Sequence, residues 1–306
     1  MIFKIIYTFN PVQTGKVTNM KISELLSKKK PMLSFEVFPP KTEENYESVK
    51  SAAEKIAELK PAFMSVTYGA GGGTGKYTLS LSEELMKNSG ITPLSHLTCV
   101  SSTKEMINNQ LTALKNAGIE NILALRGDIP NDMSREGLDF KYACELIEQI
   151  RSFGGFCIGG ACYPEGHTES VNQKADIAAL KIKAEAGCEF FTSQMFFDNN
   201  IFYNFMYKIR DAGVDIPVIA GIMPVTNAKQ IKRICSLSGT NLPSRFRAIV
   251  DRFSDNPSAM QQAGIAYATE QIIDLFANGV NNVHVYSMNK PEVARCIKNN
   301  LSEIVV

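Results

Sequence analysis

The stretch MLSFEVF at residues 32–38 puts Ser34 and Glu36 on one side of an extended chain and Leu33, Phe35 and Val37 on the other, because side chains alternate along a strand. Pro39-Pro40 halts it, since proline offers no N–H to a ladder. A strand inside an open parallel sheet is covered on both faces and reads as a nearly continuous apolar run. This one keeps a polar face. The same alternation pairs Ser65 with Thr67, His96 with Thr98, Arg126 with Asp128, Thr192 with Gln194 and His284 with Tyr286. A barrel with a working interior accounts for such faces better than the competing doubly wound open sheet.

Working outward, strands are expected at 32–38, 62–68, 94–99, 121–125, 156–163, 189–195, 217–223 and 282–287. Helical spacing occupies 44–59, 103–117, 138–153, 172–187, 199–213, 227–238 and 257–279, and several of these segments end in Ala-Gly, a C-cap signal. Eight alternating units without a Pro/Ser-rich linker or charge block predict a single α/β domain, a (β/α)8 TIM barrel over 21–306. Residues 21–30 read as a short leading helix. Residues 1–20 show no helical period and read as a mobile tail, with Met20 a candidate start.

The chain has 306 residues, 44% hydrophobic and 21% charged, and 32 Lys+Arg against 31 Asp+Glu leave a net charge of +1. That balance excludes a strongly basic surface for nucleic acid or anionic membrane as the default. The longest apolar runs fall short of the roughly 18 residues that a membrane helix needs. MIFKIIYTF lacks the order of a secretory signal. Seven cysteines without a CxxC pair point to a reducing, cytoplasmic setting.

Some features invite misreading. The run Gly69–Lys76 has Ala70 and Tyr77 where a phosphate loop ending in Gly75-Lys76 needs Gly and Ser or Thr, and Thr74 where a dinucleotide fingerprint needs Gly. It reads as a loop at the barrel mouth. No HExxH, GxSxG or Cys/His metal spacing occurs, and three scattered histidines argue against a His-rich metal site.

Barrel enzymes place functional groups at the C-terminal ends of their strands. Glu36, flanked by Phe35, Val37 and Phe38, reads either as a carboxyl held near its neutral form, suited to a general acid, or as a structural carboxylate paired with an inward Lys or Arg. Arg126-Gly127-Asp128 reads as a salt-bridged turn, or as a glycine allowing close backbone approach to a ligand that Asp128 binds. Gln194 offers an amide that both donates and accepts, or a satisfied interior amide. His167 follows a strand end and reads as functional or as part of a helix-cap loop.

Taken in order, SFEVFPPKT, FMSVTYGAGG, PLSHLTC, ILALRGDIP, CYPEGHTES, TSQMFFD, GIMPVTN and HVYSMNK resemble the methylenetetrahydrofolate reductases from about Met32 to about Val293. The resemblance implies a TIM barrel with a flavin, FAD or alternatively FMN. The flavin takes a hydride from NADH or NADPH and passes it to 5,10-methylenetetrahydrofolate, giving 5-methyltetrahydrofolate for one-carbon metabolism and methionine biosynthesis. By motif, Glu36 resembles the catalytic acid and Asp128 the carboxylate near flavin and pterin. Tyr68, His96, Arg126, Gly127, Asp128, Ala143, Tyr163, His167, Asp176 and Lys183 fall where the family binds flavin. Thr67, Gln194, Gln230 and Lys290 fall where it binds its substrates. A homo-oligomer is also expected.

The chain departs from the family at Ala179 and Ile182, where relatives often carry a polar amide and a basic residue on the side of the phosphates and adenosine. Lys290 stands where Arg is common, which removes a fork suited to carboxylates. The alternatives are a flavin-free pterin barrel that carries or transfers methyl groups, a non-catalytic docking subunit, and a reductase fed electrons by a partner protein.

Overall fold

The computed structural model describes residues 20–68, 75–129 and 137–305. The expected tail, Met20 excepted, and most of the glycine run lie outside the described residues. The strands are β1 (Met32–Val37), β2 (Met64–Val66), β3 (Pro93–Thr98), β4 (Asn121–Leu125), β5 (Cys157–Cys162), β6 (Phe190–Ser193), β7 (Val218–Ile222) and β8 (Asn282–Tyr286). Each lies parallel to the next, and β8 closes the barrel on β1 with Ser34 opposite His284 and Glu36 opposite Tyr286.

Helix α1 (Ile22–Leu26) precedes the barrel. After β1 to β6 in turn come α2 (Tyr46–Ala57), α3 (Gly75–Ser89), α4 (Lys104–Asn116), α5 (Ala143–Phe153), α6 (Gln173–Ala186) and α7 (Asn199–Asp211). Three helices, α8 (Ala228–Ser238), α9 (Ser244–Phe253) and α10 (Pro257–Ala277), separate β7 from β8, and α11 (Pro291–Asn300) follows β8.

Helices α3, α9 and α11 were absent from the expected pattern. Helix α3 opens inside the apparent glycine loop and carries Thr78, Ser80 and Ser82, residues that favour caps and turns. Its Leu81, Leu85 and Met86 are nevertheless buried, and a packed apolar face outweighs intrinsic propensity. Helix α9 hides one short i,i+4 pair, Phe246 and Val250, among charges. The leading helix ends at Leu26, short of residue 30, and Lys29 stands at φ +50°. Helix α5 begins at Ala143, five residues later than expected, where the Tyr142 N–H donates to Glu145 Oε2 at 3.0 Å.

One end of the barrel is plugged. Met32, Phe63, Leu94, Leu123, Phe190 and Ile219 pack with Ile22 and Leu26 of α1. The Ile22 N–H donates to Asn121 Oδ1 at 2.8 Å and Asn121 Nδ2 donates to the Met20 carbonyl at 3.2 Å, tying α1 across that end. Above this layer the interior turns small and polar, and the cleft opens at the strands' C-terminal ends. Gly221 is part of the reason. A β-carbon there would sit 2.5 Å from the Tyr286 hydroxyl, which donates to the Ser193 carbonyl at 2.5 Å.

Among the described residues no helix is long and apolar enough to cross a membrane. All seven cysteines are free.

Candidate active site

The open end holds a cleft of about 260 Å³. Glu36, Thr67, His96, Tyr163, Gln194 and Tyr286 supply its polar wall, and Leu94, Leu123, Leu125, Ala161 and Met223 its apolar one. Thr192, Ser193 and His284 complete the lining. A cleft with apolar lining and a few convergent polar groups is the usual form of a small-molecule or cofactor site.

Behind Glu36 runs a buried chain of hydroxyls and imidazole. Glu36 Oε2 is 3.4 Å from Ser65 Oγ, Ser65 Oγ is 2.9 Å from His284 Nε2, and His284 Nδ1 is 2.7 Å from Ser34 Oγ. Ser34 Oγ in turn donates to the Val283 carbonyl at 3.1 Å. Neutral imidazole has one donor and one acceptor nitrogen, so two patterns satisfy this chain. With the proton on Nδ1, His284 donates to Ser34, Ser65 donates to Nε2, and a protonated Glu36 donates to Ser65. With the proton on Nε2, His284 donates to Ser65 and frees the Ser65 hydroxyl for a Glu36 carboxylate, and Ser34 must then turn its single proton from the Val283 carbonyl to Nδ1. The first pattern keeps the Val283 bond and suits a protonated Glu36.

Burial governs the charge states. It pushes the Glu36 carboxyl up to about 8, against the smaller opposing pull of the Ser65 hydrogen bond. Burial also holds His96 and His284 down at about 3, the latter with a contribution from His96. At neutral pH Glu36 is a protonated acid and both imidazoles are uncharged. Among the described residues no Lys or Arg pairs with Glu36, so the structural-carboxylate alternative finds no support. The strand β8 exit loop holds the end of β1: Ser287 Oγ donates to the Glu36 carbonyl, and the Asn289 side chain accepts from the Phe38 N–H and donates to its carbonyl.

Beside the cleft, Tyr163 meets His167 edge to face at 4.6 Å, and burial raises its hydroxyl to about 12. The His167 N–H and the Ser170 hydroxyl donate to the buried Asp176 carboxylate, and His167 Nδ1 accepts from the Glu169 N–H. Lys183 donates to the Ala161 carbonyl at 2.9 Å, and burial pulls its ammonium below the ordinary lysine range. Tyr68 accepts from Gln110 Nε2 at 3.0 Å.

The structure brings Glu36, Thr67, His96, Tyr163 and Gln194 into one cleft, with Tyr68, Arg126, Gly127, His167, Asp176 and Lys183 alongside. Other expected residues stand apart from its lining. Asp128 is exposed beyond the end of β4, Ala143 opens α5, Gln230 is exposed on α8, and Lys290 donates to Thr226 Oγ1 at 2.7 Å.

Two expectations need correction. The alternation that put Arg126 and Asp128 on the inner face fails, because β4 ends at Leu125, and it is Leu123 and Leu125 that face inward. Gly127 at φ +87° then breaks the alternation, and a β-carbon there would meet Val100 Cγ1 at 2.7 Å. Arg126 turns to Glu169, in a two-pronged pair at 2.7 Å on each arm. Ile182, expected on the cofactor side of α6, is 52% exposed in a groove shared with Glu148 and Arg151. Ala179 does lie on the face that carries Asp176 and Lys183, at i, i+3 and i+7.

Strand parity alone places Ser34, Ser65, Thr192, His284 and Tyr286 on the inner face and gives them no role; the pairing of Ser34 and Ser65 through one imidazole requires the closure of β8 on β1.

The model of the family described as methylenetetrahydrofolate reductase matches residues 21–302. The chain is 34% identical over 299 residues to methylenetetrahydrofolate reductase (NADH) 1 of Zea mays, covering 93% of this chain and 50% of that protein. It is 32% identical over 269 residues to 5,10-methylenetetrahydrofolate reductase of Escherichia coli strain K12, covering 88% of this chain and 90% of that one. The chain thus spans about half the length of the plant relatives and most of the bacterial ones. Among solved structures, a Clostridium thermocellum protein described as binding two copies of 5-methyl-5,6,7,8-tetrahydrofolic acid superposes with a TM-score of 0.64 at 13% identity, over 94% of this chain and all of that one. Oxaloacetate acetylhydrolase in complex with oxalate superposes at 0.53 with 9% identity, over 90% and 82%. These two show the barrel fold alone.

Proposed function

The chain belongs to the methylenetetrahydrofolate reductase family, and from that membership we propose that it reduces 5,10-methylenetetrahydrofolate to 5-methyltetrahydrofolate. The observation that carries this reading is Glu36, a carboxyl kept protonated at neutral pH inside the cleft, with a chain of hydroxyls and imidazole behind it.

The family is flavin-dependent, and the residues present fit such a group. The cleft has apolar lining from Leu94, Leu123, Leu125, Ala161 and Met223, one of its buried polar atoms, His96 Nε2, has no hydrogen-bond partner, and two cations, Arg126 and Lys183, stand on its flank. His96, Tyr163 and Gly127 would hold the ring system, Arg126, His167 and Lys183 its phosphate arm, and Asp176, which only accepts, a hydroxyl of its sugar chain. FAD is the expected form of the flavin, from the family resemblance, with FMN the alternative. A bound flavin supplies hydride transfer from reduced nicotinamide to the folate.

Glu36 donates its proton to the departing nitrogen of the folate's five-membered ring. The C–N bond breaks, its electron pair stays on that nitrogen, and the carbon is left as an iminium ready for hydride. The Ser65 hydroxyl then turns to donate to the new carboxylate, which stabilises the charge until a proton returns. Thr67 and Gln194 orient whichever substrate occupies the slot, while Asp128, Gln230 and Lys290 meet the folate at the rim. NADH is the expected donor, as in the names of the plant relatives, with NADPH the alternative. Free thiols throughout suit a reducing cytoplasm.

Anaerobic titration of the purified protein tests the reading. A flavin spectrum bleached by NADH or NADPH and restored by methylenetetrahydrofolate is the expected result. Flavin that nicotinamide bleaches and folate fails to restore would overturn it.

A further inference from the structure

Most polar atoms lining the cleft are already engaged. Glu36 meets Ser65, His284 meets both serines, Tyr286 donates to the Ser193 carbonyl, Ser193 Oγ accepts from the Gly221 N–H, and Gln194 Oε1 accepts from the Met195 N–H. Thr192 is the exception among the residues with no assigned role. The residue is 6% exposed, its Oγ1 has no hydrogen-bond partner, and it lines the cleft. A buried hydroxyl left unpaired is costly, and a threonine also has the alternative, inside a helix or strand, of bonding its own backbone. Thr192 does neither.

Its place in the barrel says what it meets. Thr192 lies on β6, paired with Ala161 of β5 and Ile219 of β7, and is two residues from Gln194 on the same inner face. His96 is on β3, three strands away round an eight-stranded ring, and its Nε2 stands 3.7 Å from Glu36 Oε2. Glu36, on β1, is likewise three strands from β6, so a folate ring in reach of the Glu36 proton on one side of the cleft faces Thr192 on the other.

Resting on the reductase reading, we propose that Thr192 is a further substrate-binding residue, whose hydroxyl hydrogen-bonds a ring heteroatom of the reduced pterin and contributes to folate affinity. Threonine both donates and accepts, so it can serve a ring nitrogen or a carbonyl, and its methyl group packs the apolar side of the slot.

The test is calorimetric titration of 5-methyltetrahydrofolate into the flavin-loaded protein, comparing wild type with Thr192→Val, which keeps the shape, and Thr192→Ser, which keeps the hydroxyl. The valine variant is expected to bind about tenfold more weakly and the serine variant within about threefold of wild type, with flavin content equal in all three. Equal affinity in the valine variant would overturn the assignment and leave the reductase reading standing. Lost flavin with unchanged folate affinity would transfer the hydroxyl to the cofactor and equally overturn it. A wild type that binds no folate would overturn the reductase reading, and this inference with it.

Discussion

Glu36 Oε2 stands 3.7 Å from His96 Nε2, and the two do not form an ion pair at neutral pH. Burial drives them in opposite directions, the carboxyl up to about 8 and the imidazole down to about 3, so each keeps its uncharged form. A carboxylate beside an imidazolium would be a poor acid. The uncharged pair leaves a proton on Glu36 for a substrate.

Replacing Glu36 with Gln removes that proton and keeps the shape. Folate reduction is expected to fall by at least ~10²-fold, while nicotinamide still bleaches the flavin. Stopped-flow measurement of each half-reaction separates the two, and normal reoxidation by folate would remove Glu36 from the acid role.

The same variant should be more stable. The folded-state value near 8 lies above the ordinary 4.5, so the folded chain holds a proton that the unfolded chain releases as pH rises. Glu36 therefore destabilises the fold increasingly from about 4.5 to about 8, by on the order of 3 kcal/mol at pH 7. Urea unfolding should show Glu36→Gln close to wild type near pH 4.5 and clearly more stable near pH 8.

The pH profile of folate reduction should fall as pH rises through about 8, where Glu36 loses its proton. The Ser65 hydrogen bond lowers that value, so Ser65→Ala should move the alkaline limb to higher pH and slow turnover on the plateau. An unmoved limb would separate Ser65 from the acid.

His96 and His284 act at the other end of the scale. Both are held neutral in the fold at about 3, against an ordinary 6.5, so the stability present above 6.5 is lost as pH falls from 6.5 towards 3. Acid unfolding followed by circular dichroism should begin in that window, and His284→Asn should flatten its slope.

Gly221→Ala tests the packing behind the cleft. The new methyl would press on the Tyr286 ring and the Ser193 carbonyl, and overpacking of this kind costs about 1–3 kcal/mol. A lower melting temperature is expected, with weakened activity through Tyr286. An unchanged melting temperature would show that Tyr286 moves aside freely.

Much of this was legible along the chain. The eight strands, the barrel and the inward parity of Ser34, Glu36, Ser65, His96, Thr192, Gln194, His284 and Tyr286 follow from alternation, which depends only on neighbours in sequence. Helices α3, α9 and α11 were not legible, because each is stabilised by a buried face, against the barrel for α3 and against α8 and α10 for α9, and its own propensity is modest. Nor was the path of Arg126, because one left-handed glycine redirects the chain after β4 and Glu169 lies 43 residues further on. The charge states of Glu36 and the two histidines belong to the same class. Each residue's type is written in the chain, but its proton is set by how much water the closed barrel excludes and by Ser34, Ser65 and His284 meeting across a seam 250 residues long, and desolvation and long-range contact exist only once the chain has folded.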